Sequence, residues 1–219
     1  MQVSLDVLIV AAHAPELAPV AGVRADGHPA RVGGLWVAVA PVGIGLPAAA
    51  AGTALALVAR APALVVFTGS AGAYASRRPA QGVVVARTVR LVSTAAVEGR
   101  GGMPVPMDRA LAPDAPLADA LARHGAERAD VATTLAITTD DALAERIAEA
   151  TGCDVEHLEA YAVASACARA GVPCAFVLGL ANRVGRGARE EWVRRHVEAD
   201  AAAAAVVSSW LAAGAPRAP

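Results

Sequence analysis

Two polar side chains stand out in residues 154–192, DVEHLEAYAVASACARAGVPCAFVLGLANRVGRGAREEW. Glu159 falls in the first turn of a predicted helix. Asn182 follows the apolar strand, residues 174–180, that comes after the turn Gly171-Val172-Pro173. In an open α/β sheet, ligands bind at the carboxyl ends of the strands. A carboxylate opening a helix and an amide ending the next strand can therefore face one crevice. Glu16 is a third candidate, set just past the first apolar run and His13-Ala14-Pro15. The alternative reading of Glu16 is an acidic residue favoured by the dipole of a helix N-terminus.

The elements that would position these residues read as follows. Residues 3–12 form a largely apolar run, as a strand covered on both faces requires. Residues 20–34 suggest an edge hairpin and residues 35–41 a second buried strand. A glycine turn, Val42-Gly43-Ile44-Gly45, leads into a helix over 47–60, a βα geometry that lets backbone approach a ligand. The dinucleotide fingerprint is incomplete, because Ala48 occupies the third glycine position; a plain tight turn is the alternative. Residues 64–68 form a third strand followed by Gly69-Ser70-Ala71-Gly72-Ala73, where Ser70 can donate or accept a hydrogen bond.

Further on, residues 82–93 predict a strand partly exposed at Arg87 and Arg90, and residues 99–116 a loop of lid-like length. A short helix over 117–124, a strand over 131–139 and a helix over 141–149 follow, the last capped by Thr139 or Asp140. The C-terminal helix spans roughly 188–213, and residues 214–219 are expected to fray. No repeat or linker divides the chain, so residues 1–219 read as one domain.

Composition narrows the partners. The 219 residues are 56% apolar, yet charged residues recur at helical spacing within the alanine runs, and no stretch has the length of a membrane span. Net charge is −1 and aromatics are 3%, which leaves neither a cationic footprint nor stacking platforms for nucleic acid. A small molecule is the expected partner. Cys153, Cys167 and Cys174 show no metal-ligand spacing, and an odd count without a signal peptide suggests reduced thiols in the cytoplasm. LDVLIVAA reads as a first strand, not a secretory segment. Neither a metal nor an organic cofactor is indicated.

Taken in order, these segments resemble the nucleoside phosphorylase/nucleosidase superfamily, and most its futalosine hydrolase branch. AAHAPELAPV resembles the strand exit that carries a catalytic glutamate, and VGIGLPAAAAGTALAL the glycine turn and helix. FTGSAGAYA resembles the TGSAG loop, VEHLEAYAVA the helix start usually written VENMEGAAVA, and GLANRVG with Trp192 the branch's SN-x-V segment. The resemblance implies a three-layer α/β/α sandwich around a mixed central sheet, of the purine/uridine phosphorylase kind. It further implies a purine-nucleoside substrate, cleavage of the N-glycosidic bond, and homo-oligomers, dimers or larger, in which a neighbouring subunit closes the site.

Carried onto this chain, the resemblance makes Glu16 the general base that activates water and Glu159 the carboxylate that binds ribose hydroxyls. Val155, Leu158, Gly69 and Ser70 join them as substrate-binding positions; an ordinary core leucine is the alternative for Leu158. Asn182 stands where adenine-specific nucleosidases carry Asp. An amide accepts from purine N7–H while donating to a 6-oxo group, which selects hypoxanthine-like bases; the alternative is a strand-end cap in an Asx-type turn. Phosphorylases surround their phosphate with arginines, one just before the Gly-Ser loop. Here Phe67-Thr68 fills that place, and Arg24, Arg31, Arg77 and Arg78 read as surface residues, so water is the expected nucleophile. Leu158-Glu159-Ala160 replaces Met-Glu-Gly, Ala181 replaces the usual serine, and His157 adjoins the motif as a packed or solvated residue.

Overall fold

A computed structural model describes residues 5–214. Alternation of side chains builds its centre. Strand β1 (Val7–Ala11) turns Leu8 and Val10 to one face and Val7, Ile9 and Ala11 to the other, and all five are buried. β1 lies between two parallel neighbours, β3 (Leu35–Pro41) and β4 (Leu64–Ala73). The edge is β2 (Ala30–Val32), antiparallel to β3 across Gly33-Gly34, so the expected hairpin forms from only its last part.

Beyond β4 the sheet curls. β4 pairs in parallel with β9 (Cys174–Arg183), which runs antiparallel to β5 (Val83–Leu91). β5 pairs with β7 (Glu127–Thr133) and, at its other end, with the short β6 (Ala110–Leu111). β7 pairs with β8 (Val155–His157), and β8 returns antiparallel to the last residues of β4. The five strands β4, β9, β5, β7 and β8 thus close on themselves, and the carboxyl end of β4 meets both β8 and β9.

Helices cover both faces, giving the expected α/β/α layering. α2 (Leu46–Arg60) and α6 (Ala160–Ala170) pack on the Leu8 face, with Ala49, Leu57, Val163 and Cys167 in that core. α1 (Ala14–Leu17), α4 (Ala115–Ala122) and α7 (Ala188–Ala212) lie on the other, where Leu17, Leu121, Trp210 and Leu211 are buried. Between β5 and β6 sits α3 (Thr94–Val97), and α5 (Asp141–Thr151) starts at an Asp140 cap whose carboxylate accepts from the Leu143 N–H at 2.7 Å. Cys153, Cys167 and Cys174 are buried free thiols. No described helix is long and apolar enough to cross a membrane.

Several expected boundaries shift, each for a physical reason. Gly69 to Ala73 is strand, not loop, because pairing with β9 and then β8 continues through it. The approach to Glu159 is itself a strand, β8. The strand expected over 131–139 ends at Thr133, since Thr138 gives its N–H and hydroxyl to Glu156 at 2.9 and 2.6 Å and draws the chain off the sheet. The 99–116 segment contains β6 and the start of α4. Val3 and Ser4 of the first predicted strand, and 215–219 of the predicted frayed end, lie outside the described residues.

Candidate active site

Glu16, Glu159 and Asn182 meet at one cavity of about 300 Å³, beyond the ends of β1, β4 and β9. This is near the lower end of pockets that hold small ligands. Ser70 and Leu158 also line it, as do His13, Ile44, Glu156, His157, Arg189 and Trp192.

Glu16 sits in the four-residue α1 with both candidate roles available at once. Its Oε2 accepts the His13 N–H at 3.1 Å, which is the N-terminal capping expected of an ordinary helix glutamate. The same carboxylate is 5% exposed and faces the cavity. Its pKa is raised to about 7: burial pushes it up most and the charge of Asp200 adds to that, while the His13 N–H and imidazole pull it part of the way down. A carboxylate poised near neutrality suits proton abstraction at physiological pH.

Gly69 lies behind this carboxylate. A Cβ added there would stand 3.1 Å from Glu16 Oε1 and 3.3 Å from the Phe67 ring. Gly69→Ala is expected to move the carboxylate a few tenths of an ångström and lower kcat/KM about tenfold. Tm should fall by no more than about 4 °C. Kinetics and a thermal melt on the same preparation separate the two effects.

Glu159 is held from across the cavity. Its Oε1 accepts the Gly45 N–H at 2.7 Å, so the glycine turn after β3 grips a carboxylate of the site. Glu159 is the N-cap of α6 and not a residue of its first turn; the missing cap bond comes from His157. His157 Nδ1 accepts the N–H groups of Glu159 and Ala160, both at 3.1 Å. A ring nitrogen that accepts twice carries no proton. Its 3.3 Å contact with Glu159 Oε2 is therefore not an ion pair. Burial pushes the His157 imidazole down, with the Glu159 charge offsetting only part, and its ring meets Phe67 edge-on at 5.0 Å. His157 is a packed, neutral cap.

Asn182 owes its direction to a β-bulge. Ala71 pairs with Leu180, but Gly72 pairs with Asn182, so Ala181 is the extra residue. A bulge re-aims the side chains beside it. The Asx-turn alternative fails here: the Val184 N–H goes to the Ala73 carbonyl, and the Asn182 Nδ2 donates to the Arg183 carbonyl at 2.8 Å. That leaves Oδ1 and one amide hydrogen for a ligand. Gly72 makes the room, since a Cβ there would stand 3.0 Å from Asn182 Nδ2.

Residues 8–213 match the family model described as the phosphorylase superfamily. The chain belongs to that superfamily. No curated protein matches it by sequence. Among solved structures, the 5′-methylthioadenosine/S-adenosylhomocysteine nucleosidase of Neisseria meningitidis, in complex with methylthio-immucillin-A, is similar at 19% identity and a TM-score of 0.82. The match covers 94% of this chain and 98% of that one. The corresponding nucleosidase of Colwellia psychrerythraea, in complex with adenine, gives 21%, 0.80, and 95% of each chain. The futalosine hydrolase of Helicobacter pylori gives 18%, 0.81, and 94% and 97%.

Within this superfamily fold, two of the predicted substrate-binding residues do not line the cavity: Gly69, which stands against the Glu16 carboxylate, and Val155. Val155 is displaced by its strand. It is fully buried between β7 and β4, its side chain in the core with Leu8 and Phe67. The arginines considered for an anion site are engaged elsewhere. Arg24 pairs with Asp26, Arg31 lies over Trp36, Arg77 reaches Asp154, and Arg78 reaches Glu127. Arg189 is the cavity's own arginine, and sequence reading does not single it out.

Two buried carboxylates were also missed. Glu156 accepts from Thr138 and from the Tyr74 hydroxyl at 3.1 Å, and burial raises its pKa against those bonds. Asp200 is buried in α7 within an alanine run. Its signal was present, because Trp192, His196 and Asp200 recur every four residues on one helix face. Among the described residues, no group of three or more His, Cys, Asp or Glu could hold a metal ion.

Proposed function

We propose that the protein is a nucleosidase that hydrolyses the N-glycosidic bond of a 6-oxopurine nucleoside, with futalosine as substrate and hypoxanthine and dehypoxanthine futalosine as products. On this reading it serves menaquinone synthesis in the cytoplasm. The observation that carries the reading is Asn182, an amide with a free acceptor and a free donor, aimed by the bulge into a cavity that also holds Glu16 and Glu159.

The chemistry follows from those groups. Water adds to the anomeric carbon as the carbon–nitrogen bond breaks, and the bonding pair leaves with the base. The transition state carries positive charge on the sugar, as in glycoside hydrolysis. Glu16 takes the proton of the attacking water. Glu159, anchored on Gly45 N–H, accepts from ribose hydroxyls and favours the cationic sugar. The departing base takes a proton from solvent at N7, and Asn182 accepts from the resulting N7–H and donates to the 6-oxo group. Leu158 and Trp192 supply apolar walls. Engagement of the other candidate arginines away from the cavity supports water, not phosphate, as the nucleophile.

We also propose a homo-oligomer, a dimer or larger, and a single domain. Ile44, Leu135 and Ile137 are exposed, and two of them line the cavity; a second subunit would cover them.

Free base is measured by chromatography after incubation with futalosine, inosine or methylthioadenosine, each with and without phosphate. Hypoxanthine from futalosine, independent of phosphate, is the expected result. Adenine from methylthioadenosine would replace this reading with the 6-amino specificity that two of the similar structures' names carry. Phosphate-dependent release from inosine would make the protein a phosphorylase.

A further inference from the structure

Glu156 reaches the cavity by alternation. β8 turns Val155 into the core, so the next residue points to the opposite face, and Glu156 lines the cavity at 6% exposure. Its place in the sheet is equally defined. Gly72 of β4 pairs with Glu156 on one side and with Asn182 on the other. Residues directly opposite on adjacent strands share a face. A carboxylate and an amide therefore flank a residue with no side chain, and all three line the cavity.

A buried carboxylate needs donors to offset its lost hydration. Glu156 finds three, and two come from one residue. The Thr138 N–H donates to Oε1 at 2.9 Å, the Thr138 hydroxyl to Oε2 at 2.6 Å, and the Tyr74 hydroxyl to Oε2 at 3.1 Å. Two bonds to one residue fix its orientation as well as its position. The Thr138 carbonyl is engaged too, accepting the Gly185 N–H at 3.1 Å, three residues past Asn182. At the start of the segment the Thr134 N–H donates to the His157 carbonyl at 3.3 Å. Residues 134–138 thus bridge β8 and the turn that leaves β9.

Ile137 lies within that bridge, 48% exposed and lining the cavity. No strand or helix holds it, because β7 ends at Thr133 and α5 begins at Asp141. We propose that Glu156 is a positioning residue of the cavity: it grips Thr138 so that Ile137 forms an apolar wall beside Asn182. On the nucleosidase reading, that wall receives the purine base. The base meets it in the ground state and the transition state alike, so its loss weakens binding without slowing the chemistry. Glu16 and Glu159 are held by other donors, the His13 and Gly45 N–H groups.

Glu156→Ala removes the acceptor of all three donors. Thr138→Val removes one donor, and Thr138→Ser restores it. The variants are followed first without substrate, by the methyl resonances of Ile137 and the amide resonance of Gly185. Both should move in E156A and T138V and stay in place in T138S. Unmoved Ile137 methyls in E156A and T138V overturn the proposal. Should E156A not fold, T138V against T138S decides it.

A kinetic arm rests on the nucleosidase reading. With futalosine, KM in T138V should rise about tenfold while kcat stays within about twofold. A Glu156 that only supports the fold gives the reverse, a smaller active fraction that lowers kcat at constant KM, and that result also overturns the proposal. If the wild type cleaves no nucleoside, the reading of function fails and the Ile137 resonances alone decide.

Discussion

Glu16→Gln is expected to abolish turnover and to stabilise the fold above neutral pH. In the proposed role of general base, Glu16 would contribute an acceleration on the order of 10² to 10⁴, and glutamine cannot take a proton from water. The same burial that makes Glu16 a base near neutrality makes its ionised form costly. Its folded-state pKa is raised from 4.5 to about 7, so the sign of the linkage is that of a group that prefers to stay protonated in the folded protein. The contribution of its protonated form is fully present below pH 4.5 and is lost as pH rises towards 7.

Above that window the folded protein bears a penalty of roughly 3 kcal/mol for the ionised side chain. E16Q escapes it. The variant should match wild type near pH 4 and melt higher by roughly 6–10 °C at pH 8. Melting curves at several pH values test this. Equal melting temperatures across the range would mean that Glu16 titrates normally and is not the poised base. Loss of Glu16 should also remove the acid limb from whatever residual rate remains.

Asn182→Asp should exchange base preference. Aspartate loses the amide hydrogens that the 6-oxo group and the Arg183 carbonyl need, and gains an acceptor for an exocyclic amine. A site whose buried hydrogen-bonding groups no longer match its substrate rejects it strongly. Release of hypoxanthine is expected to fall by on the order of 10² to 10³, while release of adenine from an otherwise matched nucleoside rises. The ratio of the two kcat/KM values is the measurement, since it cancels any general loss of active protein. A ratio unchanged by N182D would remove Asn182 from base recognition and, with it, the main support for a 6-oxopurine substrate.

Both predictions depend on side chains that sequence reading named and the fold brought together, and the reasons differ from residue to residue. Continuous apolar runs of strand length at residues 35–41 and 174–180, bounded by glycine and proline turns, identified β3 and the body of β9 as strands covered on both faces. Helix α5 was legible from its amphipathic pattern and a cap at Thr139 or Asp140, of which the structure uses Asp140. Glu16, Glu159 and Asn182 were legible as polar groups at strand and helix ends, and the superfamily's segment order gave them roles to test. Ser70 and Leu158 came the same way and do reach the cavity; Gly69 stands behind Glu16 instead, and Val155 is turned into the core by the three-residue strand β8.

Local order along the chain determined where strands and helices could form, which faces they buried, and which polar residues would lie at their ends. Pairing between distant segments decided the rest. The bulge at Ala181 exists only because β9 must follow β4 past Gly72, and it alone aims Asn182. The Gly45 turn became an anchor only when α6 brought Glu159 to it across 114 residues of chain. Asp200 looked like one charge in an alanine helix until packing of α7 on β4 buried it. Periodicity can place a residue on a helix face, but the desolvation and partners that set its chemistry come from the elements packed against that face.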